Sequence, residues 1–142
     1  MEGTIRTLDR DLSQTIFERI ETISKQTASL FRGEAEVVEI ASAPPLLNNV
    51  EMVKEMSQYV KEICPPEQVI VFDKGGMGSE DFASYTYDIP CSYLLLGAGT
   101  AMENELYGKP MHNECVVFNE DILPEGSAIF VQCALQWLKS HA

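Results

Sequence analysis

Basic residues are scarce in this 142-residue chain: 10 lysines and arginines stand against 22 aspartates and glutamates, a net charge of −12. Any basic patch would stand in a strong acidic background, which disfavours nucleic acid and anionic membrane as main partners. Long hydrophobic runs are missing, and the longest uncharged apolar stretch falls far short of a membrane span. The first residues, MEGTIRTLDRD, lack the apolar core of a signal peptide, so a cytoplasmic location is expected. The four cysteines, Cys64, Cys91, Cys115 and Cys133, show no CxxC spacing and lie mostly in apolar segments. They read as free thiols in a reducing compartment, not as a disulfide framework or a zinc knot. Histidine is scarcer still, with only His112 and His141. No internal repeat and no low-complexity segment interrupts the chain.

Against those absences, Val69 to Phe82 (VIVFDKGGMGSEDF) is the most informative stretch. The run Val69–Phe72 reads as a buried strand, broken by Gly75, Gly76 and Gly78 and followed by Ser79-Glu80-Asp81. Serine is a good helix N-cap, and two acids suit the positive end of a helix. Strand, glycine turn and helix start together mark the edge of a binding site in an open α/β sheet. The turn is no phosphate cradle, however. A Walker loop wants Gly-Lys-Ser/Thr, whereas Lys74 precedes the glycines, and GxGxxG started at Gly76 ends on Asp81. Ser79 lacks the GxSxG setting of a nucleophile.

Around this stretch the period-2 and β-branched patterns predict strands at Gly3–Leu8, Ala35–Ala41 and Cys91–Leu96. Helical spacing predicts three helices. The first carries Ile16, Ile20, Ile23, Thr27 and Leu30, is capped by Asp11 or Ser13, and is ended by Gly33. The second carries Val53, Met56, Val60 and Ile63 and stops before Pro65-Pro66. The third runs from about Ile122 with Ala128, Val131, Leu135 and Leu138 on one face. Pro44-Pro45 is the clearest boundary. His112 lies in a polar loop between Pro110 and Asn113, where a ligand could sit, but a catalytic zinc wants about three protein ligands. Glu80 and Asp81 are adjacent and point apart, so the helix-end role competes with an acid–base role. Arg6, alone on a strand, either solvates or grips a carboxylate through its fork of donors.

The order GTIRTLD, helix, strand, PPLLN, MGSEDF, IPCSYLLLGAG, MHNECVVFNED, helix resembles the C-terminal portion of a metal-dependent amidohydrolase family. That family includes hippurate hydrolase, N-acyl-amino-acid amidohydrolases and auxin-conjugate hydrolases, and is related to aminoacylase and the two-zinc carboxypeptidases. The resemblance implies an α/β fold in a partial two-domain architecture. Residues 1–43 would be the second half of a ferredoxin-like lid, α+β and used for dimerisation. Residues 44–142 would be the C-terminal part of a zinc-peptidase-like catalytic domain. It further implies His112 as a metal ligand, Arg6 as the clamp on a substrate carboxylate, Gly78 and Ser79 as the turn approaching that carboxylate, and Glu80 and Asp81 as its wall. The implied cofactor is zinc or manganese in the complete enzyme, and the implied substrate an N-acyl amino acid or small peptide. In the implied mechanism a metal-bound water, deprotonated by a glutamate, attacks the amide carbonyl. Because the remaining ligands and the base glutamate have no counterpart in these residues, the chain by itself is expected to be inactive. The rival expectation is a non-catalytic protein that self-associates, as a homo-oligomer, through exposed strand edges.

Overall fold

A computed structural model describes residues 1–142. They form three α-helices, α1 (Arg10–Leu30), α2 (Val50–Lys61) and α3 (Leu123–Ser140), with four short 3₁₀ segments and irregular connections. Two compact units result: Met1–Asn49 with Val71–Cys91, and Val50–Ile70 with Ser92–Ala142. No helix is long and apolar enough to cross a membrane.

In the first unit α1 starts where a carboxylate satisfies its free amides. Asp9 Oδ1 accepts from the Leu12 amide at 2.7 Å, and the Asp9 carbonyl takes the first helical bond from Ser13 at 3.1 Å. The cap is therefore Asp9, ahead of the Asp11 or Ser13 that the pattern suggested. At the other end the Gly33 amide reaches back to the Ala28 carbonyl at 2.9 Å and Arg32 to that of Ser29 at 3.0 Å. This paired closure needs a left-handed residue, and Arg32 holds that position at φ 60° with Gly33 one place too late. Arg32→Gly is expected to raise stability by about 0.5–1 kcal/mol, the left-handed penalty removed less the entropy that glycine adds. An unchanged or lower urea midpoint would count against this assignment.

The first unit also holds the 3₁₀ segment Asp81–Tyr87, pinned by Ala83, which is fully buried. Thr86 Oγ1 donates to the Ala83 carbonyl at 2.7 Å and accepts from the Leu47 amide at 3.3 Å, while the Tyr87 hydroxyl donates to the Pro45 carbonyl at 2.8 Å. These bonds tie the Pro44-Pro45 segment to the residues that follow the glycine turn.

In the second unit α2 packs on α3. Met56, Val60 and Cys64 recur every fourth position, so they form one stripe, and all three are buried. Polar clips flank that stripe: Gln132 and Gln136 both donate to Glu62 Oε2, at 2.6 and 2.9 Å. The Tyr59 hydroxyl donates to Glu55 Oε1 at 2.6 Å and lies 2.8 Å from Ser140 Oγ. On α3 the half-buried residues are Gly126, Ile129, Gln132, Cys133 and Gln136, whereas Ala128, Val131, Leu135 and Leu138 face outward. The expected face is thus the wrong one. The packed face carries Gln132 and Gln136, which bond Glu62, so polarity along α3 does not mark the face turned inward.

The expected α/β class is overturned. No residue lies in a strand or bridge, so there is no sheet, no ferredoxin-like half-lid and no α/β catalytic piece, and the architecture is helical. Gly3–Leu8, Ala35–Ala41, Val69–Phe72 and Cys91–Leu96 all run outside regular structure. The expected buried strand is exposed, with Ile70 at 68% and Phe72 at 71%. Alternation and β-branching say which face a strand would bury. They do not supply the neighbouring backbone whose N–H and C=O groups must complete the ladder.

Candidate functional site

The first unit brings Arg6 to the glycine turn. Arg6 Nη1 donates to the Met77 carbonyl at 2.8 Å, across 71 positions of sequence. One of the five N–H donors of the guanidinium is so engaged, which fixes the head while leaving four for a ligand. The next residues are Gly78 and Ser79, whose amides make no bond within the chain. Arg6, Gly78 and Ser79 therefore lie at one place in the fold.

Gly75, Gly76 and Gly78 have no fold-imposed need to be glycine. None has a positive φ, and a Cβ added to any of them would meet nothing within 4 Å. Bare backbone at such a turn favours close approach from outside the chain. Beyond it Glu80, not Ser79, is the N-cap of the 3₁₀ segment, its Oε1 accepting from the Phe82 amide at 3.3 Å. Asp81 sits exposed in that first turn. A separate groove of about 400 Å³ opens in the same unit, lined by Leu8, Asp9, Arg10, Pro45, Leu47 and Tyr87. The Arg10 guanidinium lies over the Tyr87 ring there, 5.1 Å from its centre.

His112 belongs to the second unit. It is exposed and held at φ 62°. Asn113 Oδ1 accepts from the Cys115 amide at 2.8 Å, and the Asn113 carbonyl from Val116 at 3.1 Å, so a tight turn follows the histidine. Arg32, the other non-glycine residue at positive φ, is accounted for by the end of α1; no helix end accounts for His112.

The contact that sequence reasoning missed is the Met77 carbonyl. Main-chain atoms carry no residue signature, and a bond between positions 6 and 77 leaves no local pattern.

Comparison with known proteins decides the family. The model described as Peptidase family M20/M25/M40 matches residues 5–136. The chain belongs to this family. The M20/M25/M40 assignment agrees with the amidohydrolase resemblance carried by MGSEDF, IPCSYLLLGAG and MHNECVVFNED. Among similar proteins, an uncharacterized hydrolase y4tI of Sinorhizobium fredii is 35% identical over 99 residues, 70% of this chain and 24% of its own length. IAA-amino acid hydrolase ILR1-like 2 of Arabidopsis thaliana is 32% identical over 88% of this chain and 28% of its own length. N-acetyldiaminopimelate deacetylase of Brevibacillus brevis is 27% identical over 99% of this chain and 35% of its own. The chain thus spans about a quarter to a third of these relatives. No solved structure gives a significant match.

The M20 family implies a metal ion, and the donors present do not fit one. No three His, Cys, Asp or Glu side chains converge anywhere in the chain. His112 stands as a single candidate ligand.

Proposed function

We propose that this chain supplies the substrate-carboxylate wall of a hydrolase that cleaves the amide bond of N-acyl amino acids or small peptides. The Arg6–Met77 bond carries this reading. It holds the guanidinium at the carbonyl of Met77, the residue before Gly78 and Ser79, whose amides make no bond within the chain. A carboxylate seated there would take paired N–H bonds from Arg6 and a third from Gly78 or Ser79, the arrangement that favours a planar anion. Glu80 supports the wall by capping the segment behind it, and Asp81 lines its exposed side. The names of the M20 relatives, an IAA-amino acid hydrolase and an N-acetyldiaminopimelate deacetylase, point to acylated amino acids as the substrate class. His112 is the one residue offered toward zinc or manganese. By themselves the 142 residues are inactive, since the other donors and a general base are lacking.

The test is a calorimetric or NMR titration of the purified chain with an N-acetyl amino acid and with its carboxamide. Hydrogen bonds to a charged group contribute about 1.5–3 kcal/mol each, so the acid should bind at least about tenfold tighter. Equal binding of acid and amide sinks the reading.

Self-association is favoured by a specific observation, though not through strand edges. The buried apolar side chains are few, namely Met56, Val60, Cys64, Ala83 and Cys91, and α1 buries none. Its end shows Leu30 at 80% and Phe31 at 82% exposure. Apolar surface on this scale marks contact with another polypeptide. Sedimentation velocity should show a concentration-dependent dimer or larger species, weakened by Leu30→Lys with Phe31→Lys. A monomer at all concentrations would refute it.

A further inference from the structure

A metal-dependent family and a chain whose donors do not converge are in conflict, and the conflict has a consequence for how this polypeptide handles its ligand. We infer that these 142 residues retain neither zinc nor manganese, and that the carboxylate clamp around Arg6 works without a metal ion. The second half of the inference rests on the carboxylate reading above.

No three donors converge, and several of them are already engaged by other groups. The Cys64 thiol is buried and donates to Glu125 Oε1 at 3.5 Å, and burial, then that bond, push its pKa up. Burial raises the Cys133 thiol as well. A metal takes the thiolate, so burial works against either thiol as a ligand. His141 is stacked on Trp137, ring centres 4.5 Å apart, and its Nδ1 lies 3.0 Å from both the Trp137 carbonyl and Ser140 Oγ. Glu55, 3.7 Å from that nitrogen, already accepts from Tyr59. Glu62 holds Gln132 and Gln136, Glu103 holds Thr100, and Glu21 and Glu51 pair with Lys25 and Lys54. A net charge of −12 attracts cations to the surface as a whole, but a diffuse cloud is exchanged on desalting. At the clamp itself the positive charge comes from Arg6. Its anchor is a main-chain carbonyl, which no chelator removes.

The chain is loaded with zinc chloride or manganese chloride, desalted, and assayed for metal by mass spectrometry. In parallel an N-acetyl amino acid is titrated in EDTA and in zinc buffer. Fewer than about 0.1 equivalents of metal should remain, and affinity should be the same in both buffers. About one retained equivalent of either metal overturns the first half, and its loss with His112→Ala would assign the ion to that histidine. Binding at least about tenfold tighter in zinc overturns the second. Absence of carboxylate binding in both buffers overturns the second half together with the carboxylate reading, and the metal content then judges the first half independently.

Discussion

Gly99→Ala is expected to lower the stability of the second unit by about 2–4 kcal/mol, the largest single effect in this chain. Two independent costs add. Gly99 sits at φ 104°, a region that a side chain rarely tolerates. An added Cβ would also stand 2.4 Å from Cδ2 of Tyr107. The ring cannot swing away cheaply, because Cγ at its base would also lie 3.0 Å from the added Cβ, and the loop that carries it is closed on itself. Glu103 Oε2 accepts from the amide and hydroxyl of Thr100 at 2.7 and 3.0 Å. Asn104 Oδ1 accepts from Leu106 at 3.0 Å, and the Asn104 carbonyl from the Tyr107 amide at 2.9 Å. Urea denaturation should therefore show a lowered midpoint. In a Tyr107→Ala background the same change should cost only the backbone part, about 1–2 kcal/mol. Gly78→Ala is the control: φ is ordinary and the space is open, so stability should hold or rise slightly. If both alanines behave alike, the steric account of Gly99 fails.

Arg6→Met should weaken binding of an N-acetyl amino acid by about tenfold to a hundredfold, while leaving the weak binding of its carboxamide unchanged. Methionine keeps much of the apolar stem and removes every donor, so the loss reports the guanidinium rather than packing. Arg6→Lys keeps the charge but gives up the planar fork. It should recover only part of the affinity, because a lysine ammonium cannot both hold the Met77 carbonyl and present a paired face to a carboxylate. Arg6 is exposed, and its one bond within the chain is to Met77, so the unfolding midpoint should move little in either variant. A variant that binds acid and amide as the native chain does would show that the arginine grips no ligand.

The three helices were legible because their signals are local. Gly33, Pro65-Pro66 and the helical spacing of Val53, Met56, Val60 and Ile63 act within a few residues of where they are read, although the cap of α1 is Asp9 and not Asp11 or Ser13. The strands were misread because a strand is a relation between two segments. Val69–Phe72 and Cys91–Leu96 have the composition of strands and find no ladder here. The outward turn of Val131 and Leu135 was hidden for a related reason: the face that meets its partner carries Gln132 and Gln136, whose acceptor Glu62 lies about 70 positions away.

The sequence by itself determined the family, through MGSEDF, IPCSYLLLGAG and MHNECVVFNED taken together. It also set the acidic surface and the positions of the helices, all of which depend on residue identity or on neighbours along the chain. Tertiary structure alone decided which candidates meet. Arg6 and Met77 are 71 positions apart and touch through a backbone oxygen that no side-chain pattern announces. Tertiary structure also left His112 without the convergent donors that a metal ion requires, since coordination depends on distances in space.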